Sequence, residues 1–210
     1  GYDLPVSNGS ERNRLGIRKA SKLLEEAGYV VKNGQLVNAN SKPLKFEILL
    51  RQGSSELLAI TNMYREALKR LGIEVEISVI DSAQYKERTN VYDFDMTYYR
   101  RGLSLSPGNE QLLYWGSDGF NNPGSRNWMG VKSKAAEDMV ERMLTSPDQN
   151  DYIFAVRALD RILISGRYVV PIWYSQFSML AHDAKLKYPD YLPAYGDWIN
   201  FLPDVWWFED

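Results

Sequence analysis

The chain has 210 residues, of which 44% are apolar, so it is long enough and apolar enough to bury a core. Lys and Arg number 25 against 27 Asp and Glu, and this near-neutral balance gives no electrostatic footprint for nucleic acid or an anionic membrane. The absence of cysteine excludes disulfides and thiolate chemistry, and no apolar run is long enough to span a bilayer.

The first predicted elements are a helix and a hairpin. Apolar residues recur every three or four positions over 14–27, which predicts a helix that ends at Gly28. Asn33 and Gly34 then lie between two short apolar pairs, and this dipeptide favours a tight two-residue hairpin turn. Residues 38–43 are predicted to be a loop.

A strand, a helix and a second strand form the centre of the predicted fold. Residues 44–50 alternate apolar and polar side chains, which is typical of a strand. A helix with one apolar face follows from a cap near Ser54, and residues 73–79 restart the alternation. A third strand is predicted over 94–99. A crossover of this length between strands predicts parallel pairing in a right-handed unit.

Two long loops follow the third strand. The first, residues 100–110, leaves the carboxyl end of a strand, where open α/β sheets place their ligands. The second, residues 115–127, is rich in turn residues and too long to be a bare connector. Loops of that length are usually functional or mobile.

Two helices and an extended segment are predicted after the loops. Ser133 caps the first helix, and the capping-box pattern at 146–149 starts a second helix that runs to about Ser165. Residues 168–174 contain a proline, which predicts an edge or crossing strand. From Gln176 onward the chain is rich in proline and aromatic residues without a clear period.

Several short motifs, in their order and spacing, resemble one protein family. They are KLLEEAGY at 22–29, FEILL at 46–50, LKRLGIEV at 68–75, YDFD at 92–95, ALDRIL at 158–163 and VVPIWY at 169–174. Together they are similar to the oligopeptide- and dipeptide-binding proteins of bacterial ABC importers, the family 5 extracellular solute-binding proteins. Residues 100–101, 104–110 and 125–130 look most like the branch that takes up microcin C-type antibiotics and murein-like peptides.

The resemblance implies an α/β fold, a lobe of the type II periplasmic binding protein class with a mixed sheet and flanking helices. It implies that 1–175 form the C-terminal lobe of a longer two-lobed protein, and that 176–210 return to the absent first lobe. The expected function is capture of a peptide or peptide-like solute between the lobes, in the periplasm, for delivery to a membrane permease. No catalysis, cofactor, metal or nucleic acid is expected.

Six residues are candidates for ligand binding: Arg100, Arg101, Ser104, Asn127, Trp173 and Tyr174. Relatives often place an aspartate after the third strand to pair with a peptide's α-amino group. Here the nearest positions are serines, including Ser104, and Arg100 and Arg101 are added. Because guanidinium binds carboxylate or phosphate through two parallel hydrogen bonds, we expect an anionic anchor. The alternative is a solvated pair at a strand end.

The other candidates also have structural alternatives. The Asn127 side chain both donates and accepts, so it suits ligand amides, but an Asx turn uses the same groups. Trp173 and Tyr174 would stack on ligand near the lobe crossing, whereas aromatic residues in an apolar run are more often core.

The competing function is a glycan-active hydrolase or a carbohydrate-binding module. The aromatic content favours it, as do Asp93 and Asp95, which would project from one face of a strand. His182 is the only histidine, so zinc sites and histidine-dependent triads lack parts. No complete catalytic constellation converges in the sequence, and we therefore prefer the solute-binding interpretation.

Overall fold

The structure is a computed structural model that describes residues 5–6, 12–101, 106–172, 179–191 and 204–209. The chain divides into two compact units. The first holds the described residues up to Arg101 and from Gly108 to Tyr168. The second holds residues 106–107 and the described residues from Val169 onward.

The first unit begins with a helix and a hairpin, as the sequence predicts. Helix α1 spans Arg14–Glu26. Strands β1 (Val30–Lys32) and β2 (Gln35–Val37) pair antiparallel. The two turn residues, Asn33 and Gly34, have φ of 51° and 81°. Positive φ at both central positions is the type I′ geometry that matches strand twist, so the predicted hairpin is confirmed.

Three parallel strands form the central sheet of this unit. Strand β3 (Lys45–Arg51) lies between β4 (Glu74–Ile80) and β5 (Met96–Thr97), and helix α2 (Ser55–Lys69) connects β3 to β4. The parallel pairing is confirmed. Antiparallel pairing among the described residues occurs in separate two-stranded sheets and in an isolated bridge between Val37 and Pro43.

The third strand is shorter than predicted, for a local reason. The carboxylate of Asp95 accepts the backbone N–H of Glu47 on β3 at 2.9 Å. A side chain therefore takes the donor that a longer β5 would have paired, and the ladder between the two strands begins only at Met96.

Helix α2 joins the sheet through a well-defined cap and turn. The Ser54 hydroxyl accepts the Leu57 N–H at 3.1 Å. Gly72, at φ +80°, turns the chain into β4, and a Cβ there would lie 2.8 Å from the Leu36 backbone nitrogen. The turn thus packs directly on the hairpin. The buried core around it comprises Leu36, Ile48, Leu50, Leu71, Ile73 and Val75.

Two short helices were not predicted from the sequence. Helix α3 (Ser82–Asn90) begins at Asp81, whose carboxylate accepts the N–H groups of Ala83 and Gln84. Helix α4 (Glu110–Trp115) starts at the end of the predicted first loop. They have nine and six residues, so neither is long enough to show the repeating apolar pattern by which longer helices are recognised.

Helices α5 (Lys134–Leu144) and α6 (Gln149–Gly166) pack on each other. The predicted Ser133 cap is confirmed, because its hydroxyl accepts the Ala136 N–H. The capping box at 146–149 is wrong in detail. Asp148 caps α6, and the Ser146 hydroxyl instead donates back to the Arg142 carbonyl at 2.7 Å.

The final segments differ from the sequence prediction. Residues 168–172 are irregular rather than a strand, and residues 173–174 lie outside the described part of the chain. The second unit contains a short antiparallel pair, β6 (Leu186–Lys187) and β7 (Trp207–Phe208), where no regular structure was predicted. The proposed lobe boundary between 175 and 176 stays a prediction. No helix within the described ranges is long and apolar enough to cross a membrane.

Candidate functional site: a caged arginine at the sheet edge

The two predicted arginines take different positions at the carboxyl end of β5. Arg100 is exposed, whereas Arg101 is half-buried. The Arg101 guanidinium lies against three rings, with its Cζ 2.9 Å from the ring centroid of Tyr114 and 5.4 Å from those of Tyr99 and Trp115. We call these three residues the aromatic cage. Their ring faces attract a guanidinium, so the cage fixes the side chain of Arg101.

Two sequence segments build the cage. Tyr99 belongs to the chain that leaves β5, and Tyr114 and Trp115 form the end of α4. The indole N–H of Trp115 donates to the Gln111 side-chain oxygen, one helical turn earlier, at 2.8 Å. This bond holds the Trp115 ring in place.

One edge of the Arg101 guanidinium has no hydrogen-bond partner in the part of the chain that the structure describes. Its Nε and Nη2 atoms are buried and make no hydrogen bond with any residue that the structure describes. These two nitrogens carry the parallel N–H bonds of one side of the guanidinium fork, the geometry that takes two oxygens of a carboxylate or phosphate. Leaving a buried donor unmet costs about 1–3 kcal/mol, so the edge is a strong candidate for a ligand group.

The charge around the cage is positive on balance. The Arg126 guanidinium lies 5.9 Å from the Tyr114 ring centroid, and its Nη1 donates to the Tyr114 hydroxyl at 3.4 Å. Glu110 is the acid facing this region. Its pKa is lowered by hydrogen bonds from the Gly108 backbone and the Gln111 side chain and by the positive charge of Arg101. Two cations, Arg101 and Arg126, thus lie near one carboxylate, Glu110, which already accepts hydrogen bonds from the protein.

A second ring cluster supports the chain that carries the cage. The Trp128 ring lies 5.2 Å from Tyr99 in an edge contact and 6.4 Å from both Tyr85 and Phe94, centroid to centroid. The Tyr85 hydroxyl also contacts the Thr97 hydroxyl at 2.9 Å. The end of β5 is therefore fixed from helix α3 and from the 125–130 segment.

An ionic cluster at the start of β5 engages both aspartates of the competing hydrolase hypothesis. Arg88 makes two hydrogen bonds to the Glu47 carboxylate, at 3.2 and 2.6 Å, and one to the Asp93 carboxylate at 2.8 Å. Asp95 accepts the Glu47 backbone N–H. The hydrogen bonds from Arg88 lower the pKa of Glu47. These carboxylates hold helix α3 and the chain before β5 against β3, which supports a structural role for them.

Asn127 holds a loop from inside. Its side chain is fully buried, and its amide donates to the carbonyls of Gly116 and Val131 at 3.1 and 2.8 Å. Its oxygen accepts the Val131 N–H at 2.9 Å. Both amide hydrogens are thus used by the protein, and the arrangement supports the loop-holding alternative. Its role in ligand binding stays a prediction.

Tyr92 anchors the same loop from the sheet side. Its hydroxyl lies 2.8 and 3.0 Å from the carbonyl oxygens of Gly119 and Asn122, which share its one proton, and it also contacts the Ser125 hydroxyl. The long second loop is consequently an ordered structure that places Arg126 beside the cage.

The remaining predicted residues, Ser104, Trp173 and Tyr174, lie outside the described residues. Sequence analysis did not identify Tyr99, Tyr114 or Trp115. The available signal was a pair of adjacent aromatic residues at 114–115, just after the loop that carries the arginines. Within the described ranges, no group of three His, Cys, Asp or Glu side chains could hold a metal ion.

Comparison with known proteins identifies relatives along the whole chain. The model of the bacterial extracellular solute-binding proteins, family 5 (middle) matches residues 2–123. The chain is 36% identical over 207 residues to the probable peptide-binding protein YejA of Agrobacterium fabrum, covering 98% of this chain and 33% of YejA. It is 34% identical over 206 residues to the peptidoglycan-binding protein YepA of the same organism, covering 98% of this chain and 32% of YepA.

A solved structure shows the same fold. The oligopeptide-binding protein AppA of Bacillus subtilis, in complex with a nonapeptide, matches 92% of this chain and 37% of AppA with a TM-score of 0.68. The sequences are 21% identical, so this likeness concerns the fold, and it confirms the predicted α/β fold class. The chain spans about a third of the length of the curated relatives it matches.

Proposed function

Because the chain belongs to the family 5 bacterial extracellular solute-binding proteins, we propose that it is part of the substrate-binding component of an ABC importer. The solute is a peptide or a peptide-like molecule, and the protein delivers it to a membrane permease. The observation that carries this proposal is the family match over residues 2–123. The names of YejA and YepA support a peptide or a peptidoglycan-derived ligand.

The proposed arrangement is that of a two-lobed binding protein. Residues 1–175 form one lobe, and 176–210 return to a lobe outside this chain. Coverage of about a third of each relative supports this assignment. Ligand binds in a mostly preformed cleft that closes by hinge motion, and catalysis is not part of the function. The protein works in the periplasm.

The anchor for the ligand is the arginine side of the cleft. Arg101 is favoured over Arg100 because its guanidinium is held by the aromatic cage and retains unmet donors. A partly desolvated guanidinium stabilises an anionic ligand group and repels an ammonium. Ligands with an anionic group are therefore preferred over those that rely on a free amine.

Calorimetric titration of the full-length protein tests the proposal. Mixtures of tri- to pentapeptides are compared with mixtures of oligosaccharides of similar mass. Saturable binding of peptides, without turnover, is the expected result. Tight binding of an oligosaccharide in place of peptide, or release of cleaved product, would show that the importer assignment is wrong.

A further inference from the structure

From the unmet edge of Arg101 we infer that the aromatic cage is a receptor for one planar carboxylate of the ligand, with Tyr114 and Trp115 as specificity-determining residues. This inference rests on the proposed function and specifies the chemistry of its site. It begins with the two nitrogens left unpartnered. Nε and Nη2 lie on the same edge of the guanidinium, so their N–H bonds run parallel and match the two oxygens of a carboxylate.

The cage decides the direction from which the ligand group can approach. The guanidinium lies with a face on the Tyr114 ring, and Tyr99 and Trp115 lie farther out around it. The faces of aromatic rings are weaker hydrogen-bond acceptors than water, so the cage shields Arg101 from water without satisfying its Nε and Nη2 donors. The free donors consequently remain available only in the plane of the guanidinium.

Burial favours a small planar group over a bulky one. Because Nε and Nη2 are buried, the group that satisfies them must displace neighbouring atoms as it binds. A carboxylate is flat and presents two oxygens in the plane of the fork. A phosphonate or phosphate offers similar oxygens but is tetrahedral, and it requires more room above and below that plane.

Charge supports the same occupant. Arg126 adds a second positive charge at the Tyr114 hydroxyl, and Glu110 supplies one negative charge. The Glu110 carboxylate already accepts hydrogen bonds from Gly108 and Gln111, and it forms no ion pair with Arg101 within 4.0 Å among the described residues. The cage is therefore left with net positive charge for the ligand to neutralise.

The test measures selectivity in the full-length protein. Three mixtures of tri- to pentapeptides are titrated, identical except for the C-terminus: free carboxylate, primary amide and the tetrahedral aminoalkylphosphonate. The expected order of affinity is carboxylate, then phosphonate, then amide. The carboxylate-to-amide ratio should be about 10- to 150-fold, the span that corresponds to hydrogen bonds to a charged group.

Variants assign the selectivity to the cage. Arg101→Gln should reduce the carboxylate-to-amide ratio to near unity, whereas the exposed neighbour Arg100→Gln is the matched control and should leave it within about twofold. Tyr114→Phe keeps the ring and should retain the ratio, and Tyr114→Leu should reduce it. Partial unfolding of a variant lowers the apparent affinity for all three mixtures together, so the ratio still reports the site.

The outcomes separate the inference from the proposed function. Equal binding of the carboxylate and amide mixtures, or loss of selectivity in Arg100→Gln but not in Arg101→Gln, would overturn the carboxylate receptor while peptide binding itself stands. Preference for phosphonate over carboxylate would also overturn it. Binding of none of the three mixtures would reject both the proposed function and the receptor.

Discussion

The pair of Glu47 and Arg88 gives a direct test of how helix α3 is held on the central sheet. Glu47 lies on β3 and Arg88 on α3, and two hydrogen bonds of 3.2 and 2.6 Å join them. Their side chains are 23% and 27% exposed. Exposed pairs contribute about 0–1 kcal/mol and charged hydrogen bonds about 1.5–3 kcal/mol, so we expect a coupling of about 1–2 kcal/mol for this intermediate case.

A double-mutant cycle measures this coupling. Urea unfolding is followed for the parent chain, Glu47→Gln, Arg88→Gln and the double variant, with the free energy of unfolding taken at constant m-value. The pair of Lys22 and Glu26 is the control, because its side chains are 77% and 58% exposed and its N–O distance is 3.7 Å. The control cycle should give less than about 0.5 kcal/mol.

Acid should remove the coupling in a defined direction. The hydrogen bonds from Arg88 lower the pKa of Glu47 from its ordinary value of 4.5. A carboxyl whose pKa is lowered by folding stabilises the protein fully above its unfolded value and loses that contribution as the pH falls through its folded value. The coupling should thus be complete at neutral pH and decline below 4.5. A coupling near zero at neutral pH, or one unchanged at about pH 3, would refute this account of the pair.

Three further substitutions test the local contacts that stabilise the fold, each by urea unfolding. Asn127→Ala should lower the free energy of unfolding by about 2–5 kcal/mol, because it leaves buried backbone groups unpaired. Asn121→Ala, at an exposed position, is the control and should have little effect. Equal effects of the two variants would contradict the buried network. Gly72→Ala should lower the free energy of unfolding by about 2–4 kcal/mol, because the positive φ of Gly72 and the nearby β2 backbone both oppose a side chain. An unchanged free energy of unfolding would show that the turn relaxes to accept the side chain. Asp148→Ala should lower the free energy of unfolding by about 1 kcal/mol, because the N-terminal cap of α6 is lost, and Ser146→Ala should lower it clearly less. The reverse order would support the capping-box assignment instead.

The sequence predicts the centre of the fold well, because its signals there are local. The Asn33–Gly34 turn requires positive φ, and the alternation over 44–50 and 73–79 fixes two strands around an amphipathic helix. Each of these patterns is complete within a few residues and needs no knowledge of the rest of the chain.

The parts that sequence analysis missed depend on contacts between distant segments. The strand β5 is cut short by the Asp95 carboxylate, which takes a donor from Glu47, 48 positions earlier. Helices α3 and α4 are too short for an apolar period to be visible. Asp148, rather than Ser146, satisfies the first N–H groups of α6, and both residue types are good caps, so composition alone does not choose between them.

The sequence indicates a position for the candidate site but not the residues that surround Arg101. The carboxyl end of the third strand indicated a ligand loop, and the arginine pair indicated an anion. The cage around Arg101 could not be foreseen, because Tyr114 and Trp115 reach it only through the helix α4. Their alignment with the guanidinium is a property of tertiary packing, which no local pattern encodes.

Native mass spectrometry of the full-length protein can decide whether the bound solute is a peptide. The protein is equilibrated with an equimolar mixture of tri- to pentapeptides and oligosaccharides of distinct masses, and the bound species is identified from the mass of the complex. We expect a complex that carries one peptide with a free carboxylate. A complex carrying an oligosaccharide, or protein that stays unbound throughout, would contradict it.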